Sequence, residues 1–373
     1  EKLINEEFKI WKKTVPLLYD TIQTFVQESP SLTIEPLSKV ELSSDKNEVE
    51  VKFLLGTYAH SPDATNYLKL AGIKLPSTLT PDFKNSIPIP AGGAIIPKFQ
   101  LLQKWIHPNE VNKARYNKFN DKIATFTKTG DIKVWDFKHE EPIKTLKFHK
   151  KDGFGLEWGI DNELLLTGGE DAKIALWDLS SSTNSPSRVF KNHDSIVNDF
   201  SWNHKIPTLF GSVSDDRSIQ FVDIRSSDDK PLIKITDAHK DVINAIQFNP
   251  SLDNLFVTGS ADNLISIWDL RNPVEPIRQL YGHNNAITQL QFNPTSPNLL
   301  ASSSNDRRIM IWDLNKLDEE FDVDDYIKNE ADDPTLAFIH GGHTSRISEF
   351  SWIPGVNNTI ISAGEDNLIQ VWK

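Results

Sequence analysis

The chain has 373 residues, no cysteine and a formal net charge of −12. The absence of cysteine excludes disulfides, thiol catalysis and cysteine-ligated zinc, and it is typical of a reducing compartment. The negative charge argues against a nucleic-acid-binding surface and favours a basic partner. We expect neither a secretion signal nor a membrane span, since no apolar run approaches the roughly 18 residues that a span needs.

The first segment is predicted to be an amphipathic helix. Its apolar residues recur at spacings of four and three, as Ile4, Phe8, Trp11, Val15, Leu18, Ile22 and Phe25. Packing on the chain's own domain explains most of this stripe. Leu17 lies beside the stripe and widens the apolar face, which leaves room for a partner helix. We therefore assign residues 1–28 to an N-terminal helix on the side of the domain that follows.

A repeat organises the rest of the chain. Six histidines each precede a closing residue, Trp in five cases, by 28 or 29 positions; they are His107, His149, His193, His239, His283 and His343. Five units carry an Asp six residues before the closing residue, namely Asp171, Asp216, Asp262, Asp306 and Asp366. Apolar and polar residues alternate between these marks, which predicts short antiparallel strands. A period of about 40–45 residues with such ends is typical of WD-repeat propeller blades.

Six full units and one divergent unit before them predict the fold class. We expect an all-β, seven-bladed WD-repeat β-propeller over residues 29–373, preceded by the N-terminal α-helix. The last unit stops after its third strand, at Trp372-Lys373. We predict that the strand at residues 31–37 supplies the missing fourth strand and leaves no open sheet edge.

The His, Asp, Ser and Trp of each unit resemble a hydrolase triad in composition. An enzyme needs such a site once, whereas this set recurs, so we favour a structural role in which each His donates to the turn Asp. No phosphate-binding loop, dinucleotide fingerprint or metalloprotease motif is present. We expect no enzymatic activity, no cofactor and no metal site.

An acidic insertion at residues 318–335 precedes the last unit. Residues 318–333 hold nine carboxylates against one lysine, and an apolar stretch with Phe338 and Ile339 follows. A solvated loop is the usual explanation of such a charge run. The apolar end and the confinement to one blade junction favour a docking edge for a cationic amphipathic helix.

The mouth of the predicted propeller is a second candidate site. The inner strands begin there, five residues after each His, with Asn112, Phe154, Asn198, Asn244, Thr288 and Ser348. This polar rim, which Glu110, Asp152 and Glu365 make mildly acidic, suits an extended basic peptide. Propeller mouths are commonly polar in any case, so a purely structural explanation is equally good.

Over nearly its whole length, the chain resembles the histone-binding WD-repeat family of the retinoblastoma-binding proteins. The resemblance is sharpest in INEEFKIWKKTVPLLYD at 4–20, PSLT at 30–33, VNKARY at 111–116 and FIHGGH at 338–343. The stretches TLKFH at 145–149 and ALW at 175–177 look nearest to the WD-repeat subunit of fungal type B histone acetyltransferase.

The resemblance implies that the first helix of histone four lies in a groove between the N-terminal helix and the acidic loop. The matching positions are Leu17, Leu18, Ile22, Glu330, Asp332, Asp333, Phe338 and Ile339. The acids would meet histone arginines, and Phe338 and Ile339 would form an apolar floor. The family loop usually has two adjacent prolines, whereas this chain has only Pro334, which leaves the register of the carboxylates open.

The resemblance also implies a top-face site for the N-terminal tail of histone three and similar basic peptides. The positions that match in kind are Glu110, Asn112, Asp152, Phe154, Asn244, Arg346 and Glu365. Asn198, Ala286 and Thr288 stand where the family commonly has two acids and an aromatic residue. This departure weakens the charge and the stacking that the site would offer.

As a function, the resemblance implies a non-catalytic adaptor or chaperone in the nucleus and cytoplasm. It would present the arginine-rich core histones three and four to the catalytic subunit of a type B histone acetyltransferase. Within the family, the alternative is a chromatin assembly factor subunit for nucleosome deposition. Alternatives of another class are a propeller substrate receptor of a ubiquitin ligase and a general scaffold. We expect no direct contact with nucleic acid or membrane.

Overall fold

The computed structural model describes residues 2–43, 47–59, 64–80, 99–160, 163–324, 326 and 332–373. In these residues, an α-helix, α1 (Lys2–Leu18), precedes a long series of β-strands. None of the helices described is long and apolar enough to cross a membrane.

Within the described residues, the strands form seven four-stranded sheets. Six sheets each take four consecutive strands: β2 (Ser31–Leu42), β3 (Glu48–Thr57), β4 (Asn66–Pro76), β5 (Gln100–His107); β6 (Val111–Asn117), β7 (Lys122–Thr127), β8 (Asp131–Trp135), β9 (Lys144–Lys147); β10 (Gly153–Trp158), β11 (Leu164–Gly169), β12 (Ile174–Asp178), β13 (Arg188–Phe190); β14 (Val197–Trp202), β15 (Leu209–Ser214), β16 (Ile219–Asp223), β17 (Ile233–Ile235); β18 (Ile243–Phe248), β19 (Leu255–Ser260), β20 (Ile265–Asp269), β21 (Arg278–Leu280); β22 (Ile287–Phe292), β23 (Leu299–Ser304), β24 (Ile309–Asp313), β25 (Leu336–His340). The seventh sheet contains β26 (Ile347–Trp352), β27 (Ile360–Gly364), β28 (Leu368–Trp372) and β1 (Ile22–Val26). The predicted seven-bladed β-propeller is therefore confirmed, with each sheet as one blade.

The turn between the second and third strands of a blade shows why the repeat keeps its Asp. In the unit that contains β18–β21, the Asp262 carboxylate accepts a hydrogen bond from the amide of Leu264 at 3.1 Å. The residue between them, Asn263, has a φ of 71°, in the left-handed region that Asn tolerates better than most residues. The side-chain bond thus stabilises a tight turn that joins two short strands.

The strand that completes the last blade differs from our prediction. β1 pairs antiparallel with β28, from Ile22 opposite Trp372 to Val26 opposite Leu368. The segment at 31–37 is instead part of β2, which pairs with β3 in the first blade. The predicted principle is confirmed, because an N-terminal strand supplies the fourth strand, but the predicted strand was wrong.

The error has a physical cause in the sequence around β1. Ile22 and Phe25 continue the three-and-four spacing of α1, and we therefore assigned them to the helix. The stretch from Thr21 to Val26 is rich in β-branched and aromatic residues, which favour a strand. The helix ends at Leu18, and the backbone N–H groups of Asp20 and Thr21 both donate to the Lys373 carbonyl. The helix boundary predicted at residue 28 was therefore ten residues too late.

The chain divides into two compact units, each with its own core. Unit 1 comprises Glu1–Thr127, Val134–Ile143 and Gly342–Lys373, and unit 2 comprises Lys128–Lys133 and Lys144–Gly341. In both units the core lies between neighbouring sheets. In unit 2, for example, Phe221 of one blade meets Phe256 of the next with ring centroids 4.9 Å apart. Such apolar contacts between flat sheets provide most of the packing energy.

Candidate functional site

The recurring His and Asp side chains form buried structural networks. In the unit that contains β18–β21, Nδ1 of His239 lies 3.0 Å from Asp262 and Nε2 lies 2.8 Å from the Thr258 hydroxyl. That hydroxyl also accepts a hydrogen bond from Trp268 Nε1 at 2.8 Å. Burial opposes ionisation of Asp262, but the hydrogen bond and charge of His239 lower the pKa of its carboxyl below the usual value. The same His–Asp contact occurs at His149, His193, His283 and His343.

These networks explain the triad-like composition of the repeat. Each His is at most 6% exposed, and its ring nitrogens already bond to Asp and to a Ser or Thr hydroxyl. Such a network fixes the blade turn, as the sequence predicted. Among the described residues, no three His, Asp or Glu side chains are grouped closely enough to hold a metal ion.

Unit 1 contains a second buried polar network, on its inner strands. The Glu349 carboxylate is 1% exposed and lies 2.6 Å from Arg115 Nη2 and 2.8 Å from Lys113 Nζ. It also accepts hydrogen bonds from the Thr33 hydroxyl and the Ile34 amide. Burial alone would raise the pKa of Glu349, but the charges of Arg115 and Lys113 lower it to about 2. This carboxylate joins inner strands from three blades of the unit.

Glu35 lies beside this network and behaves in the opposite way. Its carboxylate is 3.8 Å from Arg115 Nη1. Burial raises the pKa of Glu35 to about 7, against the opposing charge of Arg115, and the charge of Glu349 adds to the rise. The cations therefore hold Glu349 ionised, whereas its neighbour Glu35 is largely protonated below neutral pH.

Helix α1 carries an inward and an outward apolar face. The inward face holds the predicted stripe, where Trp11 Nε1 donates to the Tyr19 hydroxyl at 2.9 Å and stacks with Phe8. No residue of α1 is fully buried. The outward face exposes Leu3 to 67%, Ile10 to 63% and Leu17 to 83%. Leu18, the last residue of the stripe within α1, is also 55% exposed because it lies at the end of the helix. An exposed apolar face of this kind is typical of a surface that a partner helix covers.

Three residues predicted for the histone groove, Leu17, Leu18 and Ile22, lie in or just after this helix. Leu17 and Leu18 are exposed, as a partner-binding role requires. Ile22 does not belong to the helix, because it lies in β1 and pairs with Trp372. Sequence reasoning missed Leu3 and Ile10. They precede Leu17 by fourteen and seven residues, a spacing that places all three on one side of a helix and that the sequence alone shows.

The acidic segment, residues 318–333, lies in unit 2 and is anchored at both ends. Exposed carboxylates occur at Asp318, Glu319, Glu320, Asp322, Asp324 and Asp332. Of the residues predicted for the histone groove, Glu330 lies outside the described residues. The exposed carboxylates give this segment a strongly negative surface, which suits a ligand rich in arginine.

Asp333 has a different role from the one predicted. Its side chain is fully buried and lies 3.0 Å from Arg278 Nη2. It also accepts hydrogen bonds from the Thr335 amide and hydroxyl and from the Tyr281 amide. A carboxylate so enclosed cannot meet a histone arginine, so the prediction for Asp333 was wrong and Asp332 remains the exposed acid at this end.

Phe338 and Ile339 are consecutive residues of β25. Because successive strand residues point to opposite faces, the two side chains lie on different faces of the sheet. Ile339 is 39% exposed, and Phe338 is half-buried. The predicted apolar floor therefore offers Ile339 as its exposed side chain.

The residues predicted for the top-face site fall in both units. In unit 1, Glu110 and Asn112 flank the start of β6, where Asn112 is buried. Also in this unit, Arg346 Nε lies 4.0 Å from Glu365 Oε1, and both side chains are exposed. These two residues form the accessible charged pair of the predicted set.

The unit 2 members of the predicted top-face site are less uniform. Phe154 is 42% exposed at the start of β10. The Asp152 side chain accepts a hydrogen bond from the Gly153 amide, and the Asn244 amide donates to the Ile287 carbonyl at 2.7 Å. Asn244 thus ties its strand to the next blade. The top-face peptide site remains a prediction.

Three stretches of the chain match known protein families. Residues 140–178 match the family described as WD domain, G-beta repeat, and residues 207–312 match the EIPR1 beta-propeller family. Residues 6–77 match a histone-binding family, whose description names the histone-binding protein RBBP4 and a component of the CAF1 complex. The four-stranded blades, the His–Asp networks and the WD match define the chain as a WD-repeat β-propeller.

The match at residues 6–77 is more specific. It includes most of α1 and the strands β1 to β4. It supports the assignment of the chain to the histone-binding WD-repeat family, as its sequence predicted. The likeness to the WD-repeat subunit of the fungal type B acetyltransferase remains a prediction, because these matches do not distinguish the members of the family.

Proposed function

We propose that the protein is a non-catalytic histone-binding adaptor of the nucleus and cytoplasm. It presents the arginine-rich core histones three and four to the catalytic subunit of a type B histone acetyltransferase. In this proposal, α1 contributes apolar contacts and the acidic segment contributes charge to binding of the first helix of histone four.

The observation that carries the proposal is the outward face of α1. This face exposes Leu17 to 83% within the stretch that matches the histone-binding family. Burial of a leucine side chain in a complex contributes about 2 kcal/mol. An amphipathic histone helix would cover this face in the way that groove-binding helices commonly do.

The exposed carboxylates of the acidic segment support the same partner. Asp332 and Asp322 are exposed, and a histone helix rich in arginine would pair with such groups. Each exposed pair contributes about 0.2–1 kcal/mol and weakens with added salt. The charges therefore favour specificity for a basic ligand and fast association, while α1 supplies most of the affinity.

Calorimetric titration with a histone-four first-helix peptide tests the proposal. Leu17→Asp should weaken binding by about thirtyfold or more, since it removes the apolar contact and introduces a charge. Leu252→Asp is the matched control, because Leu252 is 58% exposed in unit 2 and lies outside both proposed segments. Absence of wild-type binding would refute the proposal, as would equal affinity of Leu17→Asp and wild type.

A second candidate function is that of a chromatin assembly factor component. The description of the family matched at residues 6–77 names the CAF1 complex. Affinity purification of the intact protein, followed by identification of the partners that remain at high salt, distinguishes the two candidate functions. An acetyltransferase catalytic subunit supports the adaptor role, and chromatin assembly subunits support the second candidate. Ubiquitin ligase adaptors without histones would refute both.

A further inference from the structure

Three outer strands of unit 2 begin with a cation that holds a loop of the next blade. Lys144 Nζ donates to the carbonyls of Leu179 at 3.2 Å and Ser181 at 2.7 Å. Arg188 Nη1 donates to the carbonyls of Ile224 and Ser226, each at 2.8 Å. In both cases the loop follows the third strand of the next blade. In the part of the chain that the structure describes, these carbonyls accept no hydrogen bond from a neighbouring strand. The cation thus takes the place that water would otherwise have.

Arg278, at the start of β21, is the third such cation, and its loop is the acidic segment. Its Nη1 donates to the Leu317 carbonyl at 2.6 Å and to the Glu319 carbonyl at 3.3 Å. Its Nη2 donates to the Asp333 carboxylate at 3.0 Å. One guanidinium therefore binds both the entry and the exit of the acidic segment. Arg188 also reaches further along its loop, where its Nη2 donates to the Asp229 carboxylate at 2.6 Å. That carboxylate is 59% exposed, whereas the Asp333 carboxylate is fully buried.

The surroundings of Arg278 make this a firm attachment. Its guanidinium lies 5.4 Å from the centroid of the Phe321 ring. Phe321 packs on Tyr281 and Tyr326, with ring centroids 5.5 and 6.0 Å away. The Arg278 side chain is 13% exposed and that of Asp333 is fully buried. A planar guanidinium satisfies this arrangement of carbonyl, carboxylate and ring, which a lysine ammonium satisfies only in part.

We propose that Arg278 is the positioning residue of the acidic segment. By binding the carbonyls of Leu317 and Glu319 and the carboxylate of Asp333, it holds the neighbouring carboxylates Asp318, Glu320 and Asp332 in one arrangement before a ligand arrives. Preorganisation of this kind raises affinity, because a free loop would lose conformational entropy on binding. This role rests on the proposed histone-binding function, in which the acidic segment contributes charge.

Two measurements on three variants test this role. Hydrogen exchange of the Thr335 and Tyr281 amides reports the anchor directly, because both donate to Asp333. Calorimetry with the histone-four first-helix peptide reports the consequence for binding. Arg278→Ala should speed exchange of both amides and weaken peptide binding by about tenfold. Arg278→Lys should weaken binding by about threefold, since it keeps the charge but not the planar fork.

Arg188→Ala is the matched control. It removes the same kind of anchor from a loop outside the acidic segment. Its thermal midpoint should fall about as much as that of Arg278→Ala, whereas its affinity for the peptide should stay at the wild-type value. An equal loss of affinity in both arginine variants would overturn the positioning role in favour of a general effect on stability.

The remaining outcomes also decide the question. Wild-type binding with unchanged affinity in Arg278→Ala refutes the positioning role and leaves the proposed function standing. Weaker binding with unchanged exchange at Thr335 and Tyr281 refutes positioning in favour of direct contact. Failure of the wild type to bind the peptide refutes the proposed function itself. If Arg278→Ala does not fold, Arg278→Lys decides, and wild-type affinity in that variant would overturn the proposal.

Discussion

Asp262 and Asp322 are both turn aspartates of unit 2, but their surroundings differ. Asp262 has a side chain only 8% exposed and bonds to His239 and to the amides of Lys240 and Leu264. Asp322, in the acidic segment, is exposed and accepts a hydrogen bond from the Asp324 amide. A carboxylate whose lone pairs are satisfied by the fold has little left for a ligand. The acids of the repeat therefore serve stability, whereas the described acids of the acidic segment, apart from the buried Asp333, are exposed to a ligand.

The buried carboxylate that joins three blades, Glu349, should show the largest effect on stability. Glu349→Gln removes the charge that Arg115 and Lys113 share, and it should destabilise the protein by about 3 kcal/mol, because two cations then lack their partner. Thermal unfolding measures the loss. Glu365→Gln is the control, since the Glu365 side chain is 39% exposed on the same blade and its loss should be small. Equal midpoints for the two variants would contradict the structural role of Glu349.

A carboxylate of the repeat should show a smaller loss of the same kind. Asp262→Ala leaves His239 and the amides of Lys240 and Leu264 without an acceptor, which should cost about 2 kcal/mol. Affinity for the histone peptide should not change, because Asp262 serves the blade turn. Asp253→Ala, at an exposed position of the same blade, should leave both properties intact. A loss of peptide affinity in Asp262→Ala that is larger than the loss in Asp253→Ala would contradict the separate roles of the repeat and the acidic segment.

Glu35 predicts a pH dependence with a defined sign. Its pKa is raised to about 7 in the folded protein, so the folded state binds its proton more tightly than the unfolded state does. Its contribution to stability is therefore fully present below its ordinary pKa of 4.5 and is lost as the pH rises through 7. Glu35→Gln should match wild type at low pH and exceed its stability at pH about 8 by roughly 1–2 kcal/mol.

Thermal midpoints of wild type and Glu35→Gln at pH about 5 and about 8 check this prediction. Glu349 contributes in the opposite direction, because its pKa is lowered to about 2. Its stabilisation is present above 4.5 and is lost only as the pH falls toward 2. A midpoint difference between wild type and Glu35→Gln that is the same at both pH values would contradict the raised pKa of Glu35.

The smallest effect is expected from an exposed acid. Asp332→Lys should weaken histone peptide binding by about fivefold, since it exchanges an attraction for a repulsion of similar size. The loss should shrink as salt is added, because exposed charges are screened. Asp253→Lys carries the same charge change elsewhere in unit 2 and should bind the peptide almost as wild type does. Equal losses in both variants would show that only net charge matters.

Much of the fold could be predicted because its rules are local and repeated. A spacing of 28 or 29 residues from His to the closing residue occurs in six units, with one substitution of Val for Trp, so independent positions confirm one another. β1 could not be assigned in this way, since it occurs once and its apolar spacing also suits a helix. The choice between helix and strand depended on pairing with β28, a contact across most of the chain.

The candidate site was predictable in its location but not in its contacts. The exposure of Leu17 follows from its place beside the helical stripe. The burial of Asp333 does not, because adjacent aspartates look alike in sequence and only one of them meets Arg278. A signal for Arg278 does exist, since Lys144, Arg188 and Arg278 each lie five residues before a repeat histidine. What such a cation binds depends on the loop of the next blade, which the spacing does not describe.

Titration of one histone-four first-helix peptide into wild type and two variants shows whether binding depends on α1 and the acidic segment rather than on the repeat. Asp262→Ala should bind with wild-type affinity, whereas the double variant Leu17→Asp with Asp332→Lys should lose affinity by about a hundredfold. Wild-type affinity in the double variant, or an equal loss in Asp262→Ala, would contradict this dependence.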